Sequence, residues 1–199
     1  MQQADLSKNK AQFSDLPTIN SNLILDVKTI AFSKQMELLK TPSFPIENIT
    51  PDVKKLAYAI KNTMYHNKGV GLAAVQIGTN INLIVIDPEP EKKNCTIMIN
   101  PKIIWKSDTS NVDKEGCLSC PGILCHIPRA NKIDIEYTDL DGEKIYKNNC
   151  TPWESRIILH EISHTNGELI IDYLGLLQQR LYFDKLRKIV KKTKRIAKK

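Results

Sequence analysis

The chain has 199 residues, 41% of them apolar and 26% charged, which suits one soluble domain with a sizeable core. No run of about 18 apolar residues occurs and residues 1–21 lack the apolar centre of a secretory signal, so neither a membrane span nor export is expected. The net charge of +7 is unevenly placed, with ten Lys/Arg against one Asp in residues 180–199 (a local balance of +9) and −2 over the remainder.

Residues 1–22 read as an N-terminal arm. Leu23 to Val27 suits a short strand, and Thr41 to Thr50, with Pro42 and Pro45, a loop. Thr50-Pro51-Asp52 then supplies an N-cap, a proline at the first helical position and an acid in the first turn. Val53, Leu56, Ala57, Ile60 and Met64 follow at helical spacing and mark a core face. That helix stops at Gly69-Val70-Gly71, which leads into Leu72-Ala73-Ala74-Val75-Gln76. The glycines let backbone approach a ligand or another chain closely. No G-K-[ST] follows, so this is no phosphate loop. Taken alone, it reads as a helix-to-strand turn with an exposed glutamine.

Leu83 to Ile86 is a buried strand ended by Asp87-Pro88. Thr96 to Ile99 and Ile103 to Trp105 read as two strands parted by Asn100-Pro101. Lys132 to Thr138 alternates polar and apolar residues, and Asp141-Gly142 folds it into a hairpin with Lys144 to Lys147. There is no internal repeat. Strands around one buried helix give an α+β class.

Five cysteines, at positions 95, 117, 120, 125 and 150, without an export signal point to reduced thiols in the cytoplasm. Cys117 and Cys120 form a C-x-x-C, with Cys125 and His126 nearby. Three readings stand for this segment: a small structural zinc site, a redox pair, or Cys117 alone as a ligand to a metal held elsewhere.

That elsewhere is His160-Glu161-Ile162-Ser163-His164. On a helix, positions i and i+4 share one face, so both imidazoles reach one metal ion with Glu161 beside its open position. Thr151 with Glu154 forms a capping-box pattern, Pro152 suits the first turn, and Asn166-Gly167 closes the helix. Ile157, Ile158, Leu159 and Ile162 make it apolar all round, hence buried. A catalytic zinc-type site needs three protein ligands and one open position, and this helix offers two.

Three motifs together resemble the peptide deformylase family: Gly69-Val70-Gly71-Leu72-Ala73-Ala74-Val75-Gln76, Glu115-Gly116-Cys117-Leu118-Ser119, and His160-Glu161-Ile162-Ser163-His164. The resemblance implies antiparallel β-sheets packed around the buried motif helix, in a catalytic domain spanning 23–175. It implies removal of the formyl group from nascent polypeptides that begin with formyl-methionine, releasing formate. It assigns Cys117, His160 and His164 to one divalent ion, Fe²⁺ by expectation, with Zn²⁺ or Ni²⁺ able to replace it. Glu161, Gln76 and the Leu118 N–H take the catalytic roles, and Gly69, Val70, Gly71, Glu115, Trp153 and Ile157 the substrate. The chain departs from the family pattern at Ser163, usually Asp, which leaves Arg129 to lean on Glu115. Leu159, Val75 and Leu124 are further departures. Ser163 motivates the alternative of a weak or inactive deformylase-like protein that binds formylated N-termini or ribosomes. Residues 176–199 read as a basic C-terminal helix, either solvated or an arm for ribosomal RNA. A monomer without membrane contact is expected.

Overall fold

The computed structural model describes residue 20 and residues 22–196; most of the expected N-terminal arm lies outside them. Leu23 to Val27 forms no strand. The extended chain there is held singly instead, with the Leu25 N–H donating to Thr63 Oγ1 (2.9 Å) and the Lys28 N–H to Gln76 O (2.6 Å). A helix not foreseen from the sequence, α1, covers Ser33–Leu39.

Helix α2, Pro51–His66, starts as expected: the Thr50 hydroxyl caps the Val53 N–H and Pro51 opens the first turn. It ends three residues before Gly69. Lys68 takes the left-handed position (φ 56°), and the Gly69 N–H reaches back to Met64 O at 2.9 Å. This is a Schellman closure with lysine in glycine's usual place.

A five-stranded antiparallel sheet follows, ordered β1 (Gly71–Ala73), β2 (Leu83–Ile86), β3 (Thr96–Lys106), β6 (Ile133–Thr138), β7 (Lys144–Lys147). Between β3 and β6, strands β4 (Ser110–Cys117) and β5 (Cys120–Ala130) form a separate hairpin. Two sequence expectations change here. β3 is one strand, not two: Asn100 sits at φ +51° in a bulge that absorbs Pro101, and its side chain bonds Ile46 N and O at 2.9 and 2.7 Å. The β4–β5 hairpin went unread because β4 turns a single buried residue inward, and that residue is the carboxylate Glu115.

Helix α3, Pro152–Thr165, carries the histidines. Thr151 Oγ1 accepts the Glu154 N–H at 3.3 Å, and Gly167 (φ 77°) closes the far end. Only half of the capping box forms, because the Glu154 carboxylate bonds Lys147 Nζ (2.5 Å). At β2 the sheet is buried on both faces. Ile84 and Ile86 pack toward α3 and β5 with Ile158, Leu159 and Ile127, while Leu83 and Val85 pack toward α2 with Leu56 and Ile60. That double burial explains the unbroken apolar run of β2. Helix α4, Leu176–Ile196, follows, and its first half is anchored: Tyr182 and Leu186 are buried in the α3-side core. No helix among the described residues is long and apolar enough to cross a membrane.

Candidate metal centre

α3 lies between the five-stranded sheet and the β4–β5 hairpin, and the hairpin turn delivers Cys117 to the helix face bearing His160 and His164. The ligand atoms of these three residues lie within 4.8 Å of one another, and Cys117 Sγ is 3.2 Å from His164 Nε2. Other combinations fail geometrically. On β5, Cys125 is buried whereas the adjacent His126 is exposed, as alternating strand positions must be, so they cannot share one ion with Cys117.

His160 Nδ1 is bonded to Glu115 Oε2 at 2.8 Å, which turns its Nε2 toward the cysteine side. Burial disfavours the His160 imidazolium, but hydrogen bonds with Cys117 and Glu115 outweigh it and raise its pKa to about 10. A hydrogen bond from Cys120 holds the Cys117 thiol well below its ordinary range, against burial and with help from His164. A thiolate beside imidazoles is the chemistry that exchanges protons for a divalent cation. Of the five buried side-chain atoms without a partner among the described residues, two are at this site, Glu161 Oε2 and His164 Nδ1. Burial also raises the Glu161 pKa, partly offset by His160 and His164. A carboxyl this deep without a partner is costly unless a cation or a reacting proton faces it.

Gly71 is what lets Glu161 sit there. A Cβ at Gly71 would stand 2.3 Å from Glu161 Oε1. Gln76, expected to be exposed if the motif stood alone, is buried. Its Oε1 accepts the Ala73 N–H (2.9 Å), and its Nε2 points to Ser119 Oγ (3.1 Å) and Cys117 Sγ (3.6 Å). Leu118 occupies the two-residue turn beside it.

A cavity of about 730 Å³ opens over these groups. Gly69, Val70, Gly71, Gln76, Cys117, Leu118, Trp153, Ile157, His160 and Glu161 all line it; buried His164 does not. Ile157 is buried, and the half-exposed Trp153 is fixed by its indole N–H donating to Pro88 O (3.1 Å). Glu115 also lines the cavity, but its carboxylate is held inside the protein. Arg129 clamps both oxygens (3.0 and 2.9 Å), and Arg156 adds a bond to Oε1 (2.6 Å). Burial opposes the Glu115 charge, yet His160 and Arg129 hold its pKa down to about 2. Arg129 does not lean on Glu115 alone: its Nη1 donates to Ser163 Oγ (2.9 Å) and Leu159 O (3.2 Å). Sequence reasoning missed Arg156. The available signal was a lone cation in an apolar helix, one turn before His160, which a buried site must neutralise.

The polypeptide deformylase family model matches residues 28–180. A peptide deformylase of Bartonella henselae is 37% identical over 156 residues, covering 77% of this chain and 88% of that protein. One of Buchnera aphidicola is 39% identical over 153 residues, covering 77% and 87%. The crystal structure of peptide deformylase from Ehrlichia chaffeensis superposes with a TM-score of 0.78 at 29% identity, covering 85% of this chain and 98% of that one.

Proposed function

The chain belongs to the peptide deformylase family, and on that premise we propose how its residues divide the work. The reaction is metal-dependent hydrolysis of the formyl amide at the N-terminus of new polypeptides that begin with formyl-methionine, releasing formate. The observation that carries the assignment of roles is one sulfur and two imidazoles gathered within 4.8 Å beside a buried carboxylate oxygen that has no partner among the described residues.

Cys117, His160 and His164 hold the ion. When bound, it supplies Lewis acidity and lowers the pKa of water toward about 7. One thiolate and two imidazoles accept Zn²⁺ and Ni²⁺ as well as Fe²⁺, and the choice of Fe²⁺ rests on the family resemblance. Glu161 takes the proton of the attacking water and passes it to the departing α-amine. The Gln76 amide and the Leu118 N–H stabilise the oxygen that gains charge; losing one such donor costs about 2.7–4 kcal/mol. β1 is an edge strand of its sheet, and Gly69, Val70 and Gly71 offer its open side to an extended peptide. Val70, Trp153 and Ile157 receive the methionine side chain. Glu115 acts from behind, orienting His160 under the grip of Arg129 and Arg156.

On this proposal residues 23–175 form the catalytic unit, and the basic segment 176–199 draws the cytoplasmic, monomeric enzyme to ribosomal RNA. Truncation is a poor test of that arm, since Tyr182 and Leu186 belong to the core. Lys185→Glu with Lys188→Glu changes exposed positions instead. It should weaken salt-sensitive ribosome binding and leave formate release from formyl-Met-Ala-Ser intact; unaltered binding would remove the arm. The catalytic assignment is tested by the same formate assay on Fe²⁺- or Ni²⁺-loaded protein. Glu161→Ala should lose release while keeping its metal. Equal release by both proteins would refute the role of Glu161.

A further inference from the structure

The C-x-x-C of the β4–β5 turn is only half used by the ligand set described above: Cys117 is a ligand and Cys120 is not. We propose that the pair is a redox-modification site, in which a hydroperoxide joins Cys117 to Cys120 as a disulfide that dismantles the metal site and that thiols reopen. The proposal rests on Cys117 being a metal ligand.

Cys117 and Cys120 are direct partners across the two-residue turn Leu118-Ser119. Opposed residues of an antiparallel pair have Cα atoms about 4.5–5.5 Å apart, inside the roughly 4.4–6.8 Å that a disulfide spans. Both are free thiols, and side chains of directly opposed strand residues lie on the same face of the hairpin. Both line the cavity, which gives a small oxidant a route in. Cys120 is otherwise fully buried, so its near neighbour is its available partner for exchange. Cys125, further along β5, is buried and pairs with Glu115 rather than with either cysteine.

The chemistry balances. The Cys117 thiolate attacks the outer peroxide oxygen; the O–O bond breaks and the alcohol leaves with a proton, giving a sulfenic acid. Cys120 sulfur then attacks Cys117 sulfur. The S–S bond forms, the S–O bond breaks, and hydroxide departs with the Cys120 proton as water. Two thiols and one hydroperoxide become one disulfide, one alcohol and one water, the two electrons passing from sulfur to oxygen. A disulfide sulfur is no thiolate, so the ligand set falls to His160 and His164, one short of the three that a catalytic site needs. Without Cys120, a sulfenic acid at Cys117 proceeds to sulfinic and sulfonic acids, which thiols do not reverse.

The test uses full-length zinc-loaded protein, checked for formate release, then treated with tert-butyl hydroperoxide beside a chromogenic zinc chelator. Alkylation, digestion and mass spectrometry follow. Expected are loss of two alkylatable thiols, a Cys117–Cys120 peptide lighter by two hydrogens, and zinc release in step beyond an untreated control. Dithiothreitol with added zinc should reverse all three. Cys120→Ala, with Cys120→Val as a second packing variant, should instead gain irreversible oxygens on Cys117, whereas Cys125→Ala should behave as the parent. Oxygen on Cys117 with Cys120 still alkylated in the parent, a Cys120–Cys125 disulfide, or no thiol loss at a dose that oxidises free cysteine would each overturn the proposal. Failure of formate release before treatment would strike the catalytic reading instead, since disulfide and zinc release are measured independently.

Discussion

Glu161 keeps its place because residue 71 has no side chain. With Oε1 only 2.3 Å from where a Cβ would stand, Gly71→Ala forces the carboxylate to move in a packed site. A displacement of about 1 Å at a reacting group costs on the order of 10²-fold in rate. Gly71→Ala should therefore lower kcat for formate release by about that factor with metal content and melting temperature nearly unchanged; parent-like kcat would contradict the packing argument. Glu115 makes the second prediction at this scale. Its folded pKa is depressed to about 2 from an ordinary 4.5, so its stabilisation is complete above pH 4.5 and is lost as pH falls toward 2. Acid should release the metal and loosen α3 against the hairpin within that window, followed by metal content and near-ultraviolet circular dichroism. Glu115→Gln should flatten the pH dependence there. A slope equal to the parent's would place the acid sensitivity elsewhere.

At the scale of elements, α3 is a buried helix whose start hangs on one hydroxyl. Thr151 Oγ1 caps the Glu154 N–H, while the Glu154 side chain is drawn off to Lys147 on β7. Loss of such a cap costs about 1 kcal/mol, so Thr151→Ala should lower the unfolding free energy by about that amount in urea titration. A far larger loss would mean that Thr151 does more than cap. The hairpin is the other decisive element. Its two-residue turn presents Cys117, Leu118 and Ser119 to α3 and to Gln76 together, which is why ligand, amide donor and side-chain donor converge.

The whole molecule is two cores on either side of one sheet, with the metal ligands joining hairpin to helix across the outer core. An ion bound only by the folded chain stabilises it, by about 2.7 kcal/mol when free metal is 100 times Kd. Chelation should lower the melting temperature of the parent and leave Cys117→Ser unmoved. Equal shifts in both would mean that Cys117 is not a ligand.

What the sequence determined by itself was local. The α3 cap, proline and glycine, the i, i+4 spacing of His160 and His164, the start of α2 and the β6–β7 hairpin all depend on residues within about one or two turns of each other. The resemblance to a known family then named partners for that helix. Tertiary structure decided whatever joins distant parts of the chain. Cys117 meets His164 across 47 positions, and Glu115 meets Arg156 across 41. Register, not composition, buries Glu115 and exposes Lys114 on β4. The two cations on Glu115, the burial of Gln76 and the neighbouring thiol of Cys120 follow from that pairing. A one-residue slip in a strand would turn each of these side chains to the opposite face, and nothing within a single strand specifies its partner's register.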